Sequence, residues 1–323
     1  MQIVFDSTAA PTERAAWREA LCAAMPAARI VDVAQVADPE AIAFAVVANP
    51  APGALRGLPR LRLIQSLWAG VDRLVADPTV PAEVPIARMV DPAMTAAMAQ
   101  SALWATLALH RGFFDYAHQQ RARVWRQRPQ RRAQDVRVVV LGFGEMGRAV
   151  AGALAQQGYR VGAWRARASG SGGADADADA DAVAGVVPEA GAQALPGLLA
   201  DADVVVNLLP LTPATTGLLD ARFFGYLPEG AAIVNFARGA HVVERDLLAA
   251  LDAGRVGRAV LDVFATEPLA AAHPFWTHPN VTVLPHVAAL TDMRSAVAVV
   301  RANLEAVARG EAASNLVDRR RGY

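Results

Sequence analysis

Short apolar runs alternate with amphipathic stretches along most of this chain, and the alternation predicts its architecture. Runs at 2–5, 28–33, 44–48, 62–66 and 86–89 are rich in Val, Ile and Phe and too short for helices, so they read as strands. Helical spacing of apolar residues fills 11–25 and the neighbourhood of 55–58. A longer helical pattern covers 93–120, with no Pro and with Gly112 as its only weak point. A polar, Pro-interrupted arm follows at 121–134. From residue 135 the alternation resumes, with strands at 136–141, 160–164, 203–208, 231–235, 258–262 and 280–284. Helices at 146–157 and 244–253 lie between them, stopped by Gly158 and Gly254. A last helical pattern at 293–309 has no strand after it and is expected to return to the N-terminal part. The class is therefore α/β, with two Rossmann-like or flavodoxin-like domains built on parallel sheets. The smaller domain is expected to be discontinuous in sequence (1–95 and 290–323), with the second domain occupying 96–289.

The first strand of the second part runs Val138-Val-Val-Leu into Gly142-Phe-Gly144-Glu145-Met146-Gly147. A strand, a Gly-x-Gly-x-x-Gly turn and a helix form a dinucleotide site. The first Gly permits the turn, the second admits the pyrophosphate, the third lets helix and strand touch, and the helix N-terminus faces the phosphates. The next strand decides which dinucleotide. An acid about 20 residues on would bind the ribose 2′-hydroxyl. Here the strand ends Ala163-Trp164-Arg165-Ala166-Arg167, with no carboxylate and two guanidinium groups suited to a 2′-phosphate. The expected cofactor is NADPH, with NADH possible.

Three residues follow strand ends or loops where open α/β sheets place ligands. Arg238 stands in Asn235-Phe-Ala237-Arg238-Gly239, Glu267 in Asp262-Val-Phe-Ala-Thr-Glu267-Pro268, and His286 in Leu284-Pro285-His286. Arg grips a carboxylate, and His supplies a proton near neutral pH. His110, His118, His241, His273 and His278 lack such a setting and read as surface or packing residues.

Composition narrows the field. Hydrophobic residues make up 54% and charged residues 19%, which implies a folded chain. The formal net charge of zero, with no stacked aromatics, argues against a nucleic-acid or membrane partner despite the Arg-rich arm. All 31 basic residues are Arg, which removes Schiff-base and Lys-base chemistry. Cys22 is the single cysteine, so no internal disulfide forms; it reads as a small buried or half-buried apolar residue. With no signal-like start and no bilayer-length apolar run, a cytoplasmic location is expected. The Asp175, Asp177, Asp179 and Asp181 repeat lacks the Gly and Glu of a calcium loop, and no metal site is expected.

The order of Gly turn, Arg238, Glu267 and His286 resembles the D-isomer-specific 2-hydroxyacid dehydrogenases, most closely the glyoxylate/hydroxypyruvate reductase A type. The phrases Asn207-Leu-Leu209-Pro210, His241-Val-Val-Glu244, Leu261-Asp-Val-Phe264 and Leu67-Trp68-Ala69-Gly70-Val71-Asp72 carry the likeness, which spans nearly the whole chain. The resemblance implies that Trp68 and the backbone at Ala69 and Gly70 hold the substrate carboxylate with Arg238 and His286. It implies that Leu209, Pro210, Thr216 and Ala237 line the cofactor, that Asp262 meets the nicotinamide carboxamide, and that Glu267 holds the His286 ring. The implied activity is NADPH-dependent reduction of small 2-oxoacids: glyoxylate to glycolate and hydroxypyruvate to D-glycerate. An NAD-dependent D-2-hydroxyacid dehydrogenase of other specificity stays open, as does a dinucleotide-sensing regulatory protein of the same fold. A homodimer is expected through helix 93–120 and arm 121–134, because Trp125 stands exposed among polar residues.

Overall fold

A computed structural model describes residues 1–166 and 183–323, which form two compact units. Unit 1 comprises Met1–Met94 with Leu290–Tyr323, and unit 2 comprises Thr95–Ala289.

The chain enters unit 1 through β1 (Gln2–Ser7), α1 (Pro11–Ala24), β2 (Arg29–Asp32), β3 (Ile42–Ala48), β4 (Leu63–Ser66), α2 (Asp72–Ala76) and β5 (Ile86–Ala87). The five strands are all parallel, in the order β2-β1-β3-β4-β5. Val4, Ala45, Val47 and Ile64 pack on one face with Leu55, Leu58, Leu74 and Ile86. Residues 55–57 are turns and Leu58 is irregular, not the expected helix. Gly53 and Gly57 hold φ of 84° and 71°, which breaks any helical run, and Leu55 and Leu58 are buried all the same. Cys22 is exposed, contrary to expectation, because α1 buries the stripe carrying Trp17 and Leu21.

The division between units falls within α3 (Pro92–His110), which is followed by α4 (Phe113–Arg121). The single helix expected over 93–120 is thus two. Gly112 adopts φ 68°, and that left-handed residue ends one helix and starts the next. Unit 2 continues with β6 (Arg137–Leu141), α5 (Glu145–Gln156), β7 (Arg160–Arg165), β8 (Pro188–Ala190), α6 (Leu195–Leu199), β9 (Val204–Asn207) and α7 (Ala221–Gly225). It closes with β10 (Ala231–Asn235), α8 (Glu244–Asp252), β11 (Val256–Leu261) and β12 (Val281–Val283). Among the described residues its seven strands are parallel, in the order β12-β11-β10-β9-β6-β7-β8.

The unbroken Val138–Leu141 run is explained by cover on both faces of this sheet. Val139, Leu141, Val205 and Ile233 face Leu198, Phe223, Phe224 and Leu247 of α6, α7 and α8. Val138, Val140, Val206 and Val234 face Met98, Ala102 and Ala105 of α3 and Val150 and Leu154 of α5. The chain leaves β6 toward β7 and β8 and then crosses to β9, so the sheet's topological switch lies between β6 and β9. Such a switch opens a crevice at the carboxyl ends of the strands.

The chain ends in unit 1 with α9 (Met293–Ala308), which packs on α1 and β4 and buries Ala296, Val300 and Leu304. Asn303 of this helix donates to Gln65 Oε1 at 2.7 Å and accepts the Ser314 N–H at 2.9 Å, a buried polar tie between helix and sheet. Among the described residues, no helix is long and apolar enough to cross a membrane. The Asp-Ala repeat and Arg167 lie outside the described residues.

Candidate active site

Two glycines of the turn after β6, Gly142 and Gly147, leave no room for a Cβ. Gly142 holds φ 94°, and a Cβ there would sit 2.8 Å from the Leu208 carbonyl oxygen. A Cβ on Gly147 would sit 1.9 Å from the Gly142 oxygen, so α5 can lie this close to β6 only without one. Gly144 faces open space at the start of α5, and no side chain caps this helix. Glu145 is exposed and Met146 half-buried in its first turn. An uncapped helix start beside an open glycine fits a pyrophosphate, which would accept the first-turn N–H groups.

β7 ends next to this turn. The backbone carbonyl of Trp164 accepts the Gly142 N–H at 2.8 Å, but the Trp164 ring is 3% exposed and donates its N–H to the Gly191 carbonyl at 2.9 Å. That ring belongs to the core, so only its backbone stands at the turn. Arg165 is half-buried at the strand end.

The neighbouring strands deliver their loops to the same edge. β9 and β10 end in Asn207 and Asn235, which are register partners and fully buried. Leu209 and Ala237 are buried just beyond them, Pro210 is half-buried, and Thr216 is exposed with its hydroxyl on the Thr212 carbonyl at 2.9 Å. Arg238 is half-buried, and its Nη1 donates to the Ala237 carbonyl at 2.8 Å. A Cβ on Gly239 would lie 1.8 Å from the Phe264 backbone, so this glycine lets the Arg238 loop abut the loop carrying Glu267.

β11 and β12 supply the last two groups. His286 Nδ1 donates to Glu267 Oε2 at 2.8 Å, and Glu267 Oε1 accepts the Phe264 N–H at 3.0 Å. The imidazole is 54% exposed on its side chain, the carboxylate 30%. His286 sits at φ 57°, a strained position for a residue with a Cβ. Asp262 over-determines it. Its carbonyl accepts the His286 N–H at 2.9 Å, and its buried carboxylate accepts Val287 N–H at 2.7 Å and Ala288 N–H at 2.9 Å. Burial raises the Asp262 carboxyl above its ordinary value, and the two backbone donors and the His286 charge oppose that rise.

In unit 1, Trp68, Ala69 and Gly70 are half-buried after β4. Ser66 Oγ accepts the Trp68 N–H and donates to the Trp68 carbonyl, each at 3.0 Å, and the Trp68 ring meets Trp17 edge-on at 6.3 Å.

Several groups at the edge of the larger sheet escaped sequence reasoning. Asn207, Thr215, Asn235 and His241 form one buried hydrogen-bonded set, and His241 is 0% exposed rather than a surface or plain packing residue. The available signal was an Asn closing two all-apolar strands, Val204–Asn207 and Ala231–Asn235. His273 and His278 also face carboxylates, Glu244 and Asp252, each at 3.3 Å. His286 differs from them in its shorter contact and its place at the sheet's ligand edge.

A glycine turn, a helix start, an Arg and a carboxylate-held His along one sheet edge are the groups that a dinucleotide-dependent oxidoreductase requires. Residues 103–288 match the family described as D-isomer specific 2-hydroxyacid dehydrogenase, NAD binding domain. Glyoxylate/hydroxypyruvate reductase A of Yersinia enterocolitica is 36% identical over 312 residues, 95% of this chain and 96% of that protein. A D-isomer specific 2-hydroxyacid dehydrogenase of Xanthobacter autotrophicus Py2, solved with NADPH and MES, is 38% identical with TM-score 0.91, over 100% of this chain and 99% of that one. The NADPH-dependent glyoxylate/hydroxypyruvate reductase of Sinorhizobium meliloti, solved with NADP and sulfate, is 33% identical with TM-score 0.89, over 100% and 99%. The chain belongs to the D-isomer specific 2-hydroxyacid dehydrogenase family.

Proposed function

We propose that this protein is an NADPH-dependent reductase of small 2-oxoacids, taking glyoxylate to glycolate and hydroxypyruvate to D-glycerate. The observation that carries the reading is the 2.8 Å His286–Glu267 pair on the sheet edge that also bears the Gly142–Gly147 turn. The names of the Yersinia and Sinorhizobium relatives support the substrates, and the NADPH and NADP in the solved relatives support the cofactor.

Gly142, Gly144, Glu145, Met146 and Gly147 would hold the pyrophosphate, and Leu209, Pro210, Thr216, Ala237 and Asp262 the nicotinamide half. Arg165, with Arg167, would receive the 2′-phosphate, since no acid follows β7. A bound NADPH supplies the hydride. Arg238 pairs with the substrate carboxylate and draws charge toward the carbonyl oxygen. In the smaller unit, Trp68 and the backbone at Ala69 and Gly70 are assigned to substrate contacts. His286 gives its Nε2 proton to the carbonyl oxygen, and Glu267 fixes the ring so that Nε2 faces outward.

A homodimer built through α3, α4 and the arm 121–134 is part of the proposal. Trp125 in the arm is 96% exposed and Phe113 at the start of α4 is 56% exposed, aromatic side chains that a second copy would cover. The cytoplasm is the proposed location, and the exposed, unpaired Cys22 suits a reducing compartment.

The test is oxidation of NADPH and of NADH by the purified protein across a panel of 2-oxoacids. Faster turnover with NADPH and with glyoxylate or hydroxypyruvate is the expected result. Tight dinucleotide binding without turnover of any oxoacid would replace the enzyme with a dinucleotide sensor.

A further inference from the structure

His241 is a fully buried titratable group that the proposed chemistry does not use. It ends the short 3-10 turn Gly239–His241 directly after Arg238, and its backbone N–H donates to the Arg238 carbonyl at 3.2 Å. Its ring reaches across to the loop that follows the neighbouring strand. Nδ1 lies 3.0 Å from Asn207 Nδ2, and Nε2 lies 3.3 Å from the Pro210 carbonyl oxygen.

The surrounding donors fix which nitrogen carries the proton. Asn207 Oδ1 accepts the Leu209 N–H at 3.3 Å, so the amide nitrogen of Asn207 must face the other way. That nitrogen donates to Asn235 Oδ1 at 2.9 Å and to His241 Nδ1. Asn235 is oriented in turn, because its Oδ1 also takes the Ala237 N–H at 3.3 Å and its Nδ2 donates to the Arg238 carbonyl at 3.0 Å. Nδ1 of His241 is therefore an acceptor, and the proton sits on Nε2, aimed at the Pro210 oxygen. Thr215 Oγ1 donates to that same oxygen at 2.7 Å.

We propose that His241 is a positioning residue that fastens the Pro210 loop to the Arg238 loop and so preforms the surface on which the cofactor rests. The inference rests on the reading of this sheet edge as the NADPH site. The two loops leave adjacent strands, and a one-sided hydrogen bond from a neutral imidazole joins them without adding charge beside Arg238. Neither Leu209 nor Pro210 has a side chain able to make such a tie.

Two substitutions separate the two ring nitrogens. His241→Gln keeps a donor where Nε2 stands. His241→Asn keeps a partner for Asn207 but is too short to reach Pro210. NADPH affinity is measured by fluorescence titration without oxoacid, with unfolding temperature as a control and nitrogen NMR of the wild-type imidazoles alongside. His241→Asn is expected to weaken NADPH about tenfold, the effect of losing one side-chain hydrogen bond between the two loops while Thr215 alone still meets the Pro210 oxygen. His241→Gln should stay within about threefold of wild type, and kcat at saturating NADPH should change less than KM for NADPH in both. The NMR should show Nδ1 bare and Nε2 protonated at neutral pH, a result that does not depend on either variant folding. Wild-type affinity in His241→Asn, equal weakening in both variants, or a proton on Nδ1 would overturn the proposal. If the wild type itself fails to bind NADPH, it is the cofactor reading that falls, and this inference with it.

Discussion

Glu267 divides its carboxylate between the backbone and the His286 ring: Oε1 takes the Phe264 N–H at 3.0 Å, and Oε2 takes the Nδ1–H of His286 at 2.8 Å. The division makes Glu267→Gln informative. The Phe264 N–H demands an acceptor, so the Gln oxygen must turn toward it and the amide N–H₂ toward His286. Nδ1 then accepts, and the only ring proton sits on Nε2, where giving it up would leave an imidazolate. Glu267→Gln should lower kcat for oxoacid reduction by about 10²-fold or more, with NADPH affinity nearly unchanged. A variant retaining more than about a tenth of wild-type kcat would remove Glu267 from proton delivery.

Asp262 acts on the same histidine from the backbone side. With Asn in its place, one of the Val287 and Ala288 N–H groups faces an amide instead of an oxygen. The loss is about 1–3 kcal/mol for an unmet buried group, partly offset because burial opposes the native charge. Asp262→Asn should fold, with a modestly lower unfolding temperature. Its kcat should fall about 10- to 100-fold, since the strained φ of His286 is no longer held. Steady-state kinetics check this: a rise in KM for NADPH with unchanged kcat would mean that Asp262 serves the cofactor alone.

Asp292 caps α9 by accepting the Arg294 N–H at 2.9 Å and pairs with its guanidinium at 2.6 Å. The Arg294 side-chain hydrogen bond, then its backbone N–H, lowers the Asp292 carboxyl from 3.8 to about 2. An acid depressed in the folded state stabilises it above the unfolded value and loses that contribution as pH falls toward the folded value. The stability that Asp292 adds should be complete above 3.8 and lost as pH drops to about 2. Urea midpoints across that interval should fall less steeply for Asp292→Asn than for the wild type, and equal slopes would refute the assignment.

Trp125 is the most exposed large apolar residue described. If a second copy covers it, Trp125→Ala should shift the wild-type dimer toward monomer and raise KM for the oxoacid. Sedimentation at micromolar concentration reads the first effect directly. A fully active wild-type monomer there would end the dimer proposal.

Local signals settled a good deal of this molecule. Strand 231–235 was legible as a short apolar run between punctuating residues, and the helix after Gly144 as an amphipathic pattern that begins at a glycine turn and stops at Gly158. The Gly142-x-Gly144-x-x-Gly147 turn was legible from its glycines, two of which, Gly142 and Gly147, lie where close backbone approach leaves no room for a Cβ. Turn chemistry overrode periodicity at 55–58, where Gly53 and Gly57 bend the chain, and at Gly112, where a left-handed residue cuts one long helical pattern in two.

By itself, then, the sequence determined the parallel α/β class and the dinucleotide turn, both written in spacings of a few residues, and it offered Arg238, Glu267 and His286 as candidates through the phrases that carry the resemblance. Only the tertiary structure decided that Trp164 is a core ring, that Cys22 faces solvent, and that His241 is buried between Asn207 and the Pro210 carbonyl. It also decided that Asp262 holds the His286 loop through two backbone N–H groups. The reason is physical: burial and hydrogen-bond partnership depend on which strand ends lie side by side, and Asn207, Asn235 and His241 become neighbours only when β9 and β10 pair in register.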